Sequence, residues 1–252
     1  MKKINLSENE HIEYLSNEIG VVVSEKHTFG TDAILLADFA RPKKNETACD
    51  FGTGCGIIPF LWCSNGEQNE ISAVEIQKSG YNQLCRSIEM NEIQNIKPFN
   101  CDLKKIKGVL PLGQFNLVTM NPPYKKMNTG IESSDECEKI ARHETLCSIN
   151  DICRSASSLL KFSGRFCICI KPERLFEAMK AMSDCKIEPK KLRLVVSKSN
   201  LAPWLCLIEG RRGGKSGMSV QNNLVLYKEN GEYTDEMLKI LATYREEMDN
   251  GR

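Results

Sequence analysis

Apolar positions in this chain come in short blocks, with polar or amphipathic stretches between them. Residues 19–24 (IGVVVS), 46–51 (ETACDF), 70–76 (EISAVEI), 115–120 (FNLVTM) and 164–170 (GRFCICI) have the length and side-chain content of buried strands, and a shorter strand is expected near 99–101. The stretches between them repeat at helical spacing. Tyr81, Leu84, Cys85 and Ile88 fall at i, i+3, i+4 and i+7. Ile152, Ala156, Leu159 and Leu160 share a buried side behind Ser148-Ile149-Asn150-Asp151, whose spacing is that of a capping box. Thr31-Asp32 opens a helix through AILLADFA that stops at Arg41-Pro42, and two more helices are expected over 56–63 and 172–182. Such alternation predicts an α/β fold with a mostly parallel sheet covered on both faces. Toward the C-terminus the pattern changes. Strand-like blocks at 192–197, 205–209 and 223–227 are joined by loops, which predicts antiparallel strands at the sheet edge, and Thr234 with Asp235 and Glu236 opens a last helix.

The 252 residues read as one domain: a strand and helix extension over 1–45, a core over 46–230 and a C-terminal helix over 231–252. There is no internal repeat, and residues 127–139 are polar enough for a loop. With 41% hydrophobic and 27% charged residues the composition is that of an ordinary globular protein. No apolar run suits a membrane span and no leader precedes Met1-Lys2-Lys3, so a cytoplasmic location is expected. The twelve cysteines include no CxxC pair and His11, His27 and His143 stand singly, which argues against a metal site. Cys49, Cys85, Cys101, Cys167 and Cys169 sit where a core wants a small apolar group, and read as reduced thiols. Net charge is +1, but residues 186–216 alone carry eight basic and two acidic side chains. That unevenness suits a surface for a polyanion. A monomer is the default expectation, since no residue pattern reports on assembly.

Candidate chemistry gathers where an open parallel sheet binds ligands, outside the carboxyl ends of its strands. Asp50-Phe51-Gly52-Thr53-Gly54-Cys55-Gly56 follows the first core strand, Glu75 closes the next 19 residues beyond Gly56, Asp102 the third, and Asn121-Pro122-Pro123-Tyr124 the fourth. A glycine turn lets a ligand approach the backbone, and an acid at the second strand end can accept both hydroxyls of a ribose. Each feature alone also has a bland reading, as a turn or a helix cap. Their succession at four strand ends is what argues for a site. A dinucleotide fingerprint is excluded by spacing, GxGxG in place of GxGxxG. A P-loop ending at Gly214-Lys215-Ser216 would need glycine where Glu209 stands.

DFGTGCG, VEI and NPPY resemble the motifs of class I S-adenosylmethionine-dependent methyltransferases, and NPPY is similar to that of enzymes that methylate planar exocyclic nitrogens. FGTDAILLADFA (29–40), IARHETL (140–146), KPERL (171–175), LIEGRRGGKSG (207–217) and NGEYTDEML (230–238) further resemble the bacterial tRNA adenine-N6 methyltransferase family, which modifies an adenine beside the anticodon of a valine tRNA. The resemblance covers nearly the whole chain. It implies a Rossmann-like fold with a mostly parallel seven-stranded sheet, S-adenosyl-L-methionine as cofactor and tRNA as partner. It also implies roles. Asp50, Gly52 and Gly54 would cradle the methionine part of the cofactor, Glu75 its ribose and Asp102 its adenine, with Thr31 near the carboxylate. The Asn121 side-chain oxygen and the Pro122 carbonyl would each accept an N–H of the target nitrogen, with Pro123 contributing no competing N–H and Tyr124 stacking on the base. Lys125, Lys126, Arg211, Arg212 and Lys215 would contact RNA phosphates. The roles of Arg142, His143 and Glu144 stay open. Glutamine N5-methylation of a release factor is the alternative that shares NPPY, and a non-catalytic RNA-binding module is the third; the small space ahead of residue 46 and the basic segment favour the RNA enzyme.

Overall fold

The computed structural model describes residues 2–15, 19–63, 69–122 and 147–243. Two strands, β1 (Glu10–Tyr14) and β2 (Gly20–Ser24), pair antiparallel as a small separate sheet. The central sheet is built from β3 (Ala48–Phe51), β4 (Ile71–Glu75), β5 (Ile96–Asn100), β6 (Phe115–Met120), β7 (Leu160–Ile170), β8 (Ile187–Val196) and β9 (Leu205–Arg212), edged by two-residue strands β10 (Ser219–Val220) and β11 (Leu224–Val225). Its order is β10-β8-β9-β7-β6-β3-β4-β5, with β11 also on β8. β7, β6, β3, β4 and β5 run parallel, and β9 is antiparallel to both β7 and β8.

Among the described residues seven strands therefore form the body of the sheet, as expected, and the two short ones extend it to nine. The segment near 223–227 differs from expectation in direction. Leu224–Val225 pairs parallel to β8, because the chain crosses back before the edge instead of making a hairpin.

Among the described residues six helices cover the sheet: α1 (Thr31–Ala40), α2 (Ile57–Cys63), α3 (Lys78–Met90), α4 (Ile149–Leu159), α5 (Leu175–Asp184) and α6 (Asp235–Thr243). Side chains alternate between two cores, as the pleat requires. Leu117, Cys167 and Leu207 face a core with α1, α2 and α6, whereas Val118, Phe166 and Ile208 face one with α4 and α5. β3 and β4 are buried at every position, which is why they read as unbroken apolar runs. The capping box forms as the sequence predicts: Ser148 Oγ accepts from Asp151 N at 3.2 Å, and Asp151 Oδ2 accepts from Ser148 N at 3.1 Å. Cys49, Cys167 and Cys169 are fully buried, whereas Cys85 and Cys101 are half-buried; every described cysteine is a free thiol.

Two polar features hold parts of the frame together. Arg165, buried in β7, donates to the Ala40 and Arg41 carbonyls at 2.7 and 3.1 Å and to Glu46 at 3.0 Å, and pairs with buried Glu209 at 3.5 Å. It thus ties the C-terminus of α1 to the sheet and satisfies carbonyls that the helix leaves open. β1 is fastened to α3 through Glu10, which accepts from Arg86 at 2.7 Å and Gln83 at 3.2 Å. The Arg86 hydrogen bond lowers the Glu10 carboxyl to about 2. No described helix is long and apolar enough to cross a membrane.

Candidate active site

A cavity of about 460 Å3 opens outside the carboxyl ends of β3, β4, β5 and β6. Gly52, Gly54, Glu75, Asp102, Asn121 and Pro122 all line it, so six residues singled out from strand ends converge on one space. Gly54 has φ +58°, a conformation open to glycine at little cost, and nothing lies within 4 Å of where a Cβ would stand. The turn is tied to the neighbouring strand by Thr53 N donating to Val74 O at 3.0 Å and Gly54 N donating to Glu75 Oε2 at 2.8 Å. Glu75 Oε1 accepts from Gln77 N at 2.7 Å. Each carboxylate oxygen retains a second lone pair for a ligand hydroxyl.

Asp102 combines two readings. Its Oδ1 accepts from Lys104 N at 2.9 Å and so caps a 3-10 turn over Leu103–Lys105, and the residue also forms cavity wall. Asp50 departs from its expected place. It is buried behind the glycine turn, off the cavity wall, with Oδ1 accepting from Thr119 Oγ1 at 2.7 Å. Burial raises its carboxyl to about 7; the Thr119 hydrogen bond opposes that rise and nearby Glu75 adds to it. Thr31 is likewise off the wall: it is the exposed first residue of α1, and Thr28 lines the cavity in its stead.

The Asn121 side chain is held from two sides. Its Nδ2 donates to Asp32 Oδ2 at 2.9 Å, and Cys169 Sγ donates to its Oδ1 at 3.0 Å. A carboxylate only accepts, so Asp32 selects the NH2 end of the amide and turns the oxygen end away from α1. An amide oxygen has two lone pairs, so the thiol by itself does not exhaust the acceptor capacity of Oδ1. Sequence reasoning missed Asp32 as part of this arrangement, because an acid in the first turn of a helix already has an explanation as a start signal. It missed His27 as well, which lines the cavity with Nε2 2.8 Å from Ser79 Oγ, and the lip formed by Arg174 and Glu177, paired at 2.9 and 3.1 Å. The Arg174 hydrogen bond holds the Glu177 carboxyl below its usual range.

Pro123, Tyr124, Lys125, Lys126 and the Arg142-His143-Glu144 segment lie outside the described residues. Arg211, Arg212 and Lys215 do not join the site. β9 runs antiparallel, so Arg211 is level with Arg165 and hence with Leu117, near the amino end of β6, and the loop beyond it lies at the opposite rim. No group of residues suited to a metal occurs among the described residues.

A family model described as methyltransferase small domain matches residues 14–185. The chain belongs to that family. This methyltransferase takes S-adenosyl-L-methionine as its cofactor, and the cavity fits it: an open glycine turn for the approach of an uncharged backbone, a carboxylate with free lone pairs at the second strand end and another at the third. Among relatives of the methyltransferase, tRNA1(Val) (adenine(37)-N6)-methyltransferase of Histophilus somni strain 2336 is 27% identical over 209 residues, covering 82% of this chain and 85% of the relative. The protein of the same name from Haemophilus influenzae strain KW20 is 25% identical over 218 residues, 85% of this chain and 90% of its own. Among solved structures, a predicted O-methyltransferase from Agrobacterium tumefaciens gives a TM-score of 0.70 at 18% identity over 85% of this chain and 97% of that one. M. jannaschii TYW2 in complex with AdoMet gives 0.53 at 13% identity over 83% and 89%. At these identities the solved structures speak for the fold alone.

Proposed function

We propose that this methyltransferase transfers a methyl group to the exocyclic N6 of an adenine in tRNA. The observation that carries the reading is the Asn121 amide on the cavity wall, oriented by Asp32 and Cys169 and adjoining Pro122. An exocyclic NH2 is a poor nucleophile because its lone pair is delocalised into the ring. Two acceptors, Asn121 Oδ1 and the Pro122 carbonyl, hold its two N–H groups so that the lone pair is directed at the methyl donor. The cofactor supplies an electrophilic methyl group on a sulfonium. The chain contributes orientation and preorganised acceptors. No general base is needed, because the methylated nitrogen becomes acidic and sheds its proton to water. Tyr124 is assigned to stacking on the extruded base, Glu75 to the cofactor ribose and Asp102 to its adenine. The names of the relatives support the choice of tRNA.

The test is incubation with labelled cofactor and, in parallel, total tRNA, total rRNA and a release-factor peptide, followed by mass spectrometry of nucleosides and peptides. N6-methyladenosine from tRNA is the expected product. Label in the glutamine of the peptide, with none in RNA, overturns the reading.

A further inference from the structure

We propose that the rim opposite the cavity is an RNA-docking platform centred on Phe162. The proposal rests on the tRNA reading above and adds where the body of that RNA sits. Phe162 is 76% exposed, a costly position for a phenyl ring. It is presented there by an irregularity in β7: the register against β6 passes from Phe115 and Leu160 to Leu117 and Arg165, and Ser163 within the bulged stretch has φ +63°. A bulge of this kind re-aims a side chain, and a non-glycine residue at positive φ persists only where something favours it. The ring gains little core contact in return. It lies across Gly213, where an added Cβ would come within 2.5 Å of it.

The surroundings of the ring are predominantly cationic. Lys161 precedes it in sequence; Arg212 donates to the Leu160 carbonyl, Gly213 N donates to Lys186 O at 2.9 Å, and Lys190 Nζ donates to Lys215 O at 3.1 Å. These contacts bring the start of β7, the start of β8 and the end of β9 into one patch. Among the described residues Lys161, Lys186, Lys190, Arg212 and Lys215 have no carboxylate partner, whereas Lys191 and Arg211 are engaged with Glu209 at 3.3 and 3.7 Å. Glu188, near Gly214, is the opposing charge. An aromatic face ringed by cations that no described carboxylate neutralises, and backed by glycines, suits a stacked base between phosphates. Charge complementarity thus favours a nucleic acid over a protein.

Position fixes what kind of RNA. Leu160 pairs with Phe115, six residues before Asn121, which at 3.3 Å per residue sets the platform about 20 Å from the cavity. One extruded nucleotide cannot reach both places. A folded tRNA can.

The test is binding of an unmodified tRNA transcript and of an anticodon stem-loop of the same sequence, by fluorescence anisotropy across a salt series, with methylation of each followed separately. Phe162→Ala is expected to weaken tRNA binding about 5- to 150-fold, the range for loss of one base–aromatic stack, and Phe162→Trp to restore it. Lys161→Glu with Lys215→Glu is expected to flatten the salt slope by roughly 0.7–0.9 per lost contact. The advantage of tRNA over the stem-loop should shrink in both variants. Equal affinities of wild type and Phe162→Ala for tRNA overturn the platform, as does a change of mass in light scattering with RNA affinity intact, which would assign the patch to a second copy of the chain. Failure to methylate any tRNA while Phe162 still governs binding overturns the catalytic reading and leaves the platform standing.

Discussion

Replacing Asp32 with alanine isolates the orientation of the Asn121 amide, the proposed acceptor, from the amide itself. In the wild type the Asp32 carboxylate accepts from Asn121 Nδ2 at 2.9 Å in a partly buried setting. A hydrogen bond to a charged group is worth about 1.5–3 kcal/mol. The Cys169 thiol, at 3.0 Å from Oδ1, is a weak donor and cannot replace that restraint on the flip of the amide. If that free energy is what keeps Oδ1 available to the substrate, its loss lowers methyl transfer by about 10- to 150-fold, at 1.36 kcal/mol per factor of ten. Asp32→Asn should recover most of the rate, since its carbonyl still accepts from Nδ2. The assay is single-turnover transfer of labelled methyl to tRNA, with cofactor affinity measured by calorimetry and expected to hold. A double-mutant cycle with Asn121→Ala supplies the decisive comparison. Asn121→Ala alone is expected to cost about 10²–10³ in rate, and adding Asp32→Ala to it should cost almost nothing more. A full, independent loss in the Asn121→Ala background would refute the orienting role.

Three other expectations concern the frame of the site. Asp50 has its carboxyl raised to about 7 by burial, so the folded chain binds a proton more tightly than the unfolded one. Its contribution to stability is present below the ordinary aspartate range and is lost as pH rises toward 7. Asp50→Asn should therefore gain in melting temperature relative to wild type between pH 5 and pH 8, and parallel melting curves would contradict this. Glu75→Ala removes the acceptor for Gly54 N and Gln77 N and should weaken cofactor binding at least tenfold in calorimetry, a loss of about 1.4 kcal/mol or more; undiminished affinity would remove Glu75 from the cofactor site. Arg165→Ala leaves Glu209 buried without its main-chain-anchored partner and should cost about 3 kcal/mol in urea unfolding, the lower end for a broken buried pair because Lys191 and Arg211 stay near.

What was legible in the sequence, and what was not, follows the range of the interactions involved. The break after Met120 could be read because prolines cannot continue a ladder, and β6 ends where the motif begins. The capping box could be read because its partners are three residues apart. β1 escaped notice: its sequence EHIEY is charged and half-buried, and its pairing energy comes from β2 and α3. The Asp32–Asn121 bond spans 89 residues, beyond any local pattern. The resemblance implies that Asp50 cradles the methionine part of the cofactor, but a strand-end acid beside a glycine turn gives no sign of which way it faces. The basic count over 186–216 holds as a sum, but it cannot show that buried Glu209 engages two of those cations or that the direction of β9 carries Arg212 and Lys215 to the far rim.

The acceptor and the glycine turn belong to different strands, so their mutual spacing is set by register. Asp50 in β3 is paired with Thr119 in β6, and their side chains are joined at 2.7 Å. From that pair the chain runs two residues to Gly52 on one strand and two to Asn121 on the other. Slipping β6 by one residue would turn Thr119 away from Asp50, leave a buried carboxyl without its donor and move Asn121 off the cavity. A polar bond between two buried strands therefore acts as the register mark for the two halves of the site. That explains why Asp50, although absent from the cavity wall, stands at the head of the turn that forms it.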